Sequence, residues 1–307
     1  MPSVSNPPTD ALKAELPKSK WGKVLGATPI VMTVIATLLA GLSNGEMTKA
    51  QYARALAAQQ QSKAGDQWGF FQAKRLRSAI QLGTLDSILF TDNATQPDTV
   101  ALLAFAGTLT DPTEVQSALT VLLSGRLPES PRPGAPDPAV KAALDALEQA
   151  LPDAELIPRL HAAKPERVAA AIRTAQGETR AFDERLRPVI TGGDRLDAAI
   201  EASGRLSLRR DFARLRLAYA AMRYDTEAVL NRTVANLFEV QVRQSNLLAE
   251  RHHRRSLQFF YGMLAAQAAV IIATFAMAAR QRNLLWSLAA AAGLGAVVFA
   301  AYVFLYL

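Results

Sequence analysis

"LQFFYGMLAAQAAVIIATFAMAARQRNLLWSLAAAAGLGAVVFAAYVFLYL", residues 257–307, carries charge only in the short interruption Arg280-Gln281-Arg282-Asn283. The uncharged runs on either side, 257–279 and 284–307, each reach the roughly 18–20 residues that a helix needs to cross a hydrocarbon core about 30 Å thick. Val24 to Leu42 is a third uncharged run of that kind. One such run could be a buried helix of a soluble core; three point to an all-α integral membrane protein with three transmembrane helices, one N-terminal and two forming a C-terminal hairpin. A tail, 1–23, precedes them, and an extramembrane helical domain, 43–256, lies between them.

Composition narrows the class further. Half of the residues are apolar and they are concentrated in these runs, while 34 Lys and Arg against 27 Asp and Glu leave a formal charge of +7. That balance suits a bilayer with anionic headgroups, and no basic block accompanies a nucleic-acid motif, so no nucleic-acid partner is expected. Cysteine is absent, which excludes disulfides, zinc-thiolate sites and cysteine catalysis.

The first run has a second reading. Lys13, Lys18, Lys20 and Lys23 before it and Gly41-Leu42-Ser43 at its end imitate a signal peptide, but signal cores are shorter, about 7–15 residues. Thr33, Thr37 and Gly41 fall four apart and read as a small-residue packing face, so a retained anchor is expected. Short-loop charge then favours a cytoplasmic N-terminus in a multi-pass protein, because the tail and the Arg280–Asn283 loop are both basic and share a side. Lys49, Arg54 and the run "RHHRR" at 251–255 argue the other way.

Between the spans, 46–82 lacks proline and is rich in Ala and Gln, a helix continuing out of the first span. Residues 84–125 read as short helices, and the proline-rich loop 127–138 divides the domain. "TGGD" at 191–194 reads as the end of a further helical segment. Arg205 to Tyr261 contains neither Gly nor Pro and reads as one helix. Its Leu208, Phe212, Leu215, Tyr219, Met222, Thr226 and Val229 alternate by four and three, the spacing of a coiled-coil seam, weakening afterwards. The expected partner is the helix leaving the first span, which gives a long antiparallel helical stalk.

The block "DQWGFFQAK", 66–74, stands out on the first of these helices. Asp66, Gln67, Trp68, Phe70, Phe71, Gln72 and Lys74 make a candidate interaction surface, since aromatic residues flanked by polar groups are what binding hot spots contain. The plainer alternative packs Trp68, Phe71 and Gln72, with Ala64, Arg75 and Ala79, against the returning helix and leaves Phe70 outside. Arg251, His252, His253, Arg254 and Arg255 make a candidate membrane-surface anchor; adjacent histidines point apart on a helix and cannot chelate as an i,i+4 pair would. His161 lacks a carboxylate at helical spacing, and "TGGD" lacks the Lys-Ser or Lys-Thr of a phosphate loop. No catalytic residue, cofactor or metal site is expected. Gln267, the strongly polar residue deep in the second span, is expected to bond to a neighbouring helix.

With "LLAG" closing the first span, the "DQWGFFQAK" block, and "HHRR" before two close apolar spans, the chain resembles the bacterial membrane-protein family known as domain of unknown function number four thousand three hundred and thirty-seven. The resemblance implies a multi-pass protein of the bacterial inner membrane and brings no established activity; the longer, proline-interrupted middle departs from it. The reading is a membrane-anchored helical scaffold, self-associating or partnered with another membrane protein, and not an enzyme. The alternative is a sensor or accessory subunit of a transport or signalling complex, with a ligand bound in a buried polar pocket of the middle domain.

Overall fold

The computed structural model describes residues 20–91, 96–109, 112–128, 136–278 and 282–306. Eight helices account for them: α1 (Lys20–Thr91), α2 (Thr99–Ala106), α3 (Pro112–Ser124), α4 (Pro138–Glu148), α5 (Asp153–Ala162), α6 (Pro165–Ser203), α7 (Leu206–Ala278) and α8 (Arg282–Tyr306), with no strand among the described residues. Three of them, α1, α7 and α8, are long and apolar enough to cross a membrane. The tail 1–19, the centre of the proline-rich loop at 129–135 and residues 280 and 281 of the basic loop lie outside the described residues.

Local chemistry explains most of the boundaries. The Asp98 and Asp137 carboxylates accept from the backbone N–H of Ala101 and Ala139 at the starts of α2 and α4, satisfying donors that a helix start leaves unpaired. Gly204 ends α6 at φ +67°, a left-handed cap that costs glycine little.

The expectation for "TGGD" is corrected, since α6 runs unbroken through residues 191–194. A Cβ on Gly192 would lie 2.6 Å from the Ala118 Cβ and 3.1 Å from the Glu114 carbonyl oxygen. Gly192 therefore serves the close approach of α3 and does not end the helix.

The chain divides into two compact units, Met1–Leu56 with Ser245–Leu307, and Ala57–Gln244. In the second, Leu102, Leu119, Phe182, Leu186, Leu196, Ile200, Leu208, Phe212 and Tyr219 are buried together, drawing on α2, α3, α6 and α7. The seam expected on α7 is thus corrected twice. Its first residues pack among side chains of α2, α3 and α6 and not in a seam with α1, and Met222 and Val229 are exposed. Burial then passes to Ala228, Leu230, Val234, Ala235 and Phe238.

In the first unit Met32, Ala36 and Leu39 of α1 meet Phe259, Ala266 and Ala269 of α7 and Ala296 and Val303 of α8. Gly262 permits this: a Cβ there would sit 3.2 Å from Leu39 Cδ1 and 3.3 Å from the Ala296 oxygen. Thr33, Thr37 and Gly41 face outward, so they are not the packing face of the first span.

The regular seam of this protein lies on α1 instead. Met32, Ala36, Leu39, Ser43, Glu46, Ala50, Ala53 and Ala57 are buried and recur by four and three, the heptad rhythm. Gln60, Ala64, Gln67, Phe71, Lys74 and Ser78 continue it into the second unit as buried or half-buried positions.

Candidate functional site

The "DQWGFFQAK" block sits on the heptad rhythm of α1, which parts its side chains into two sets. Trp68, Phe71 and Lys74 turn toward the protein. The Trp68 Nε1–H donates to Glu239 Oε1 at 2.7 Å, and the Trp68 and Phe71 rings meet edge to face at 5.5 Å. Lys74 donates to Glu227, whose other oxygen lies 3.4 Å from Arg223 Nε. One turn on, the Ser78 hydroxyl donates to the Ala221 carbonyl at 2.9 Å. Along these pairs the α7 number falls as the α1 number rises, so the two helices run antiparallel within this unit. Gln72, Arg75 and Ala79 are exposed, because the heptad phase passes through Phe71, Lys74 and Ser78; Arg75 nevertheless reaches the returning helix, where it pairs with Asp225.

The other set faces a groove. Asp66 and Phe70 are exposed, Phe70 by 54%, and Gln67 is half-buried. With Lys63 they wall an open cavity of 490 Å³, completed by Ile172 of α6 and Phe238 of α7 among others. Its floor is apolar and its rim carries charge and amides.

A second cavity, of 330 Å³, lies where α1, α3, α6 and α7 meet, lined by Gln81, Asp194, Arg216, Tyr219, Arg223 and Tyr224 beside apolar groups. Arg216 is paired with Asp197. The Tyr224 ring has Arg223 at 4.4 Å and Lys74 at 5.3 Å, a cation–π arrangement. Tyr219 is buried, and its hydroxyl has no hydrogen-bond partner among the described residues. Burial first, only partly opposed by the positive charge of Arg223, pushes its phenol up to about 12. Lys74, Arg223 and Glu227 also line an adjoining 360 Å³ cavity with Asp183. Loss of hydration, followed by the negative charge of Glu227, raises the Asp183 carboxyl above its ordinary range.

The basic run 251–255 belongs to the first unit. His252 Nδ1 lies 2.6 Å from Glu46 Oε2; an ionised carboxylate there is the acceptor, so the ring nitrogen carries the proton. Lys49 donates to the other Glu46 oxygen at 2.9 Å, and Arg255 approaches to 4.0 Å. Ser43 and Ser256 exchange bonds beside them, each hydroxyl donating to the other's carbonyl at 3.0 and 2.9 Å. Arg254 pairs with Glu250 at 2.9 Å; Arg251 is exposed and His253 half-buried. Glu46, Glu227 and Glu239 escaped the sequence reading because their partners lie 206, 153 and 171 residues away, and nothing local marks a lone carboxylate as one half of a pair.

Tyr261 and Phe299 lie 6.0 Å apart, Phe259 and Phe304 5.9 Å, and the rings of Tyr302 and Tyr306 stack at 5.3 Å. These aromatic residues gather at one end of the two C-terminal apolar runs, the arrangement that membrane–water interfaces favour. Among the described residues no three His, Asp or Glu side chains are placed to hold a metal.

Residues 21–109 match the family model described as Domain of unknown function (DUF4337). The matched stretch holds the α1 seam from Met32 onward, including the aromatic block, and ends after α2; α7 and α8, with the "HHRR" likeness, lie outside it. No curated protein and no solved structure matches the chain.

Proposed function

We propose that this chain is a membrane-anchored helical scaffold: its three apolar runs hold it in the bilayer, copies of it associate, and the helical unit 57–244 presents a docking surface. The groove walled by Asp66, Gln67 and Phe70 carries this reading. A large aromatic residue more than half exposed beside an apolar floor and a polar rim suits the amphipathic helix of a partner protein, which would cover Phe70 and bond to the rim. The exposed members of the basic run lie against anionic headgroups. The resemblance to a bacterial membrane-protein family supports an inner-membrane location, and short-loop charge supports a cytoplasmic N-terminus with the unit 57–244 on the opposite side; reporter fusions at residue 150 test that orientation.

Two substitutions test the groove. Phe70→Ser should leave thermal unfolding of the purified protein unchanged while partners that co-purify in mild detergent are lost. Trp68→Ala should lower stability, by less than the roughly 3–5 kcal/mol of a fully buried aromatic because Trp68 is only half-buried. If Phe70→Ser unfolds the protein and keeps its partners, the groove is a packing feature and this reading fails.

The cavity around Tyr219 supports a second reading, a sensor whose ligand sits among Arg216, Tyr219 and Arg223. A 330 Å³ volume is at the small end of ligand sites, which span about 300–1,000 Å³. Tyr219→Phe distinguishes it: a merely unpartnered hydroxyl can be removed without loss of stability or signalling, whereas a ligand contact cannot.

A further inference from the structure

The membrane-crossing part of α7 has an inner and an outer face. Gly262, Ala266, Ala269, Ala273 and Ala276 are buried. Leu264, Gln267, Ala268, Ile271 and Phe275 are exposed. Gln267 is the eleventh of the 23 residues in 257–279, which puts its amide at the centre of the hydrocarbon layer.

Four hydroxyl side chains of the apolar runs make a contrast. Thr33, Thr37 and Thr274 each donate to the carbonyl four residues earlier, and Ser287 to the one three earlier. A short hydroxyl reaches its own helix in this way and is satisfied without a neighbour. A glutamine amide has two N–H donors and a carbonyl acceptor, and Gln267 makes no hydrogen bond with any described residue. Hydrocarbon offers none.

We propose that Gln267 is a self-association contact, bonded in the membrane to Gln267 of a second copy. The inference rests on the scaffold reading above and on 257–279 crossing the bilayer. Three observations select a second copy as the occupant. Primary amides complement themselves, since each N–H···O bond from one is returned by the other. Two copies share one membrane orientation, so a two-fold axis along the membrane normal brings each residue opposite its own counterpart. Finally, Leu264, Ala268, Ile271 and Phe275 recur on this outward face by four, three and four, a heptad seam with small Ala268 beside the amide to admit a close helix.

The absence of cysteine makes the test clean. Ala268→Cys, in full-length protein reconstituted in phosphatidylcholine and phosphatidylglycerol vesicles, should form a disulfide-linked dimer on oxidation. Ala269→Cys, on the buried face, and Leu294→Cys, on the exposed face of α8, should not. Adding Gln267→Leu to Ala268→Cys should weaken dimerisation about three- to tenfold on dilution in lipid, the range expected of an interhelical amide bond. Cross-linking of Ala268→Cys undiminished by Gln267→Leu overturns the role of the amide, and oligomers that persist without any cross-link at 268 place the interface elsewhere; both outcomes leave the scaffold reading standing. Wild-type protein that stays monomeric in vesicles overturns self-association itself.

Discussion

The two units are built on opposite rules. Around Phe212 the interior is made of large side chains, Leu102, Leu119, Phe182, Leu186 and Ile200. Around Gly262 half of the buried cluster is alanine, Ala36, Ala266, Ala269 and Ala296, while Ile30, Leu38, Ile271, Phe275, Leu294 and Phe304 point outward. In water, burying a large side chain supplies the driving force. In lipid that force is absent between helices, and close backbone approach through small residues takes its place. The contrast is the one expected between a unit packed in lipid and a unit packed in water, and it does not depend on run length.

The largest expected effect lies in the second unit. Phe212→Ala should cost about 3–5 kcal/mol, the usual loss for a buried phenylalanine, read as denaturant unfolding in mild detergent. A loss under about 1 kcal/mol would mean that this interior is not a water-driven core.

In the first unit the sign of the size change reverses. Ala266→Leu, at a fully buried position, should cost about 1–3 kcal/mol by overpacking. Outward Leu294→Ala should stay within about 0.5 kcal/mol. Thermal unfolding of the pair in bilayer nanodiscs decides it; if Leu294→Ala proves the more damaging, that face packs against protein and not lipid.

The smallest effect sharpens the second unit. The Asp183 carboxyl is raised from its ordinary value of 3.8, so its contribution is fully present below that value and is lost as pH rises through the raised one. Asp183→Asn should therefore raise the melting temperature at pH 7, and the gain should vanish below about pH 3.8. A gain that is constant across this range would assign the effect to something other than ionisation.

What the sequence made legible follows the same division. The three apolar runs and the long helices were readable because length and the absence of charge are properties of a single segment. The α1 seam was not, because Ala36, Ser43, Glu46, Gln60 and Lys74 share a spacing but no hydropathy. Its polar members become intelligible only through distant partners: Ser256 for Ser43, His252 for Glu46, Glu227 for Lys74. Thr33, Thr37 and Gly41 misled in the opposite direction, since small residues suit a packing face but a threonine that bonds to its own helix can also face lipid. Gly192 misled because glycine weakens a helix locally, while the approach of α3 that requires it is a property of the fold. The candidate block divided as its helix phase predicted for Trp68, Phe70 and Phe71; its groove depends on Ile172 and Phe238 and was invisible.

The pairing of Ser43 with Ser256 also has a consequence in time. The two residues are 213 positions apart, and ribosomes add about 5–20 residues per second, so α1 waits roughly 10–40 s for its partner to be made. An exposed stripe of leucine or valine would spend that interval as an adhesive for other nascent chains. Between Ser43 and Gln67 the stripe is alanine, serine, glutamate and glutamine, which does not adhere in this way, and the same composition that hides the seam from a hydropathy profile lets α1 persist unpaired until translation delivers α7.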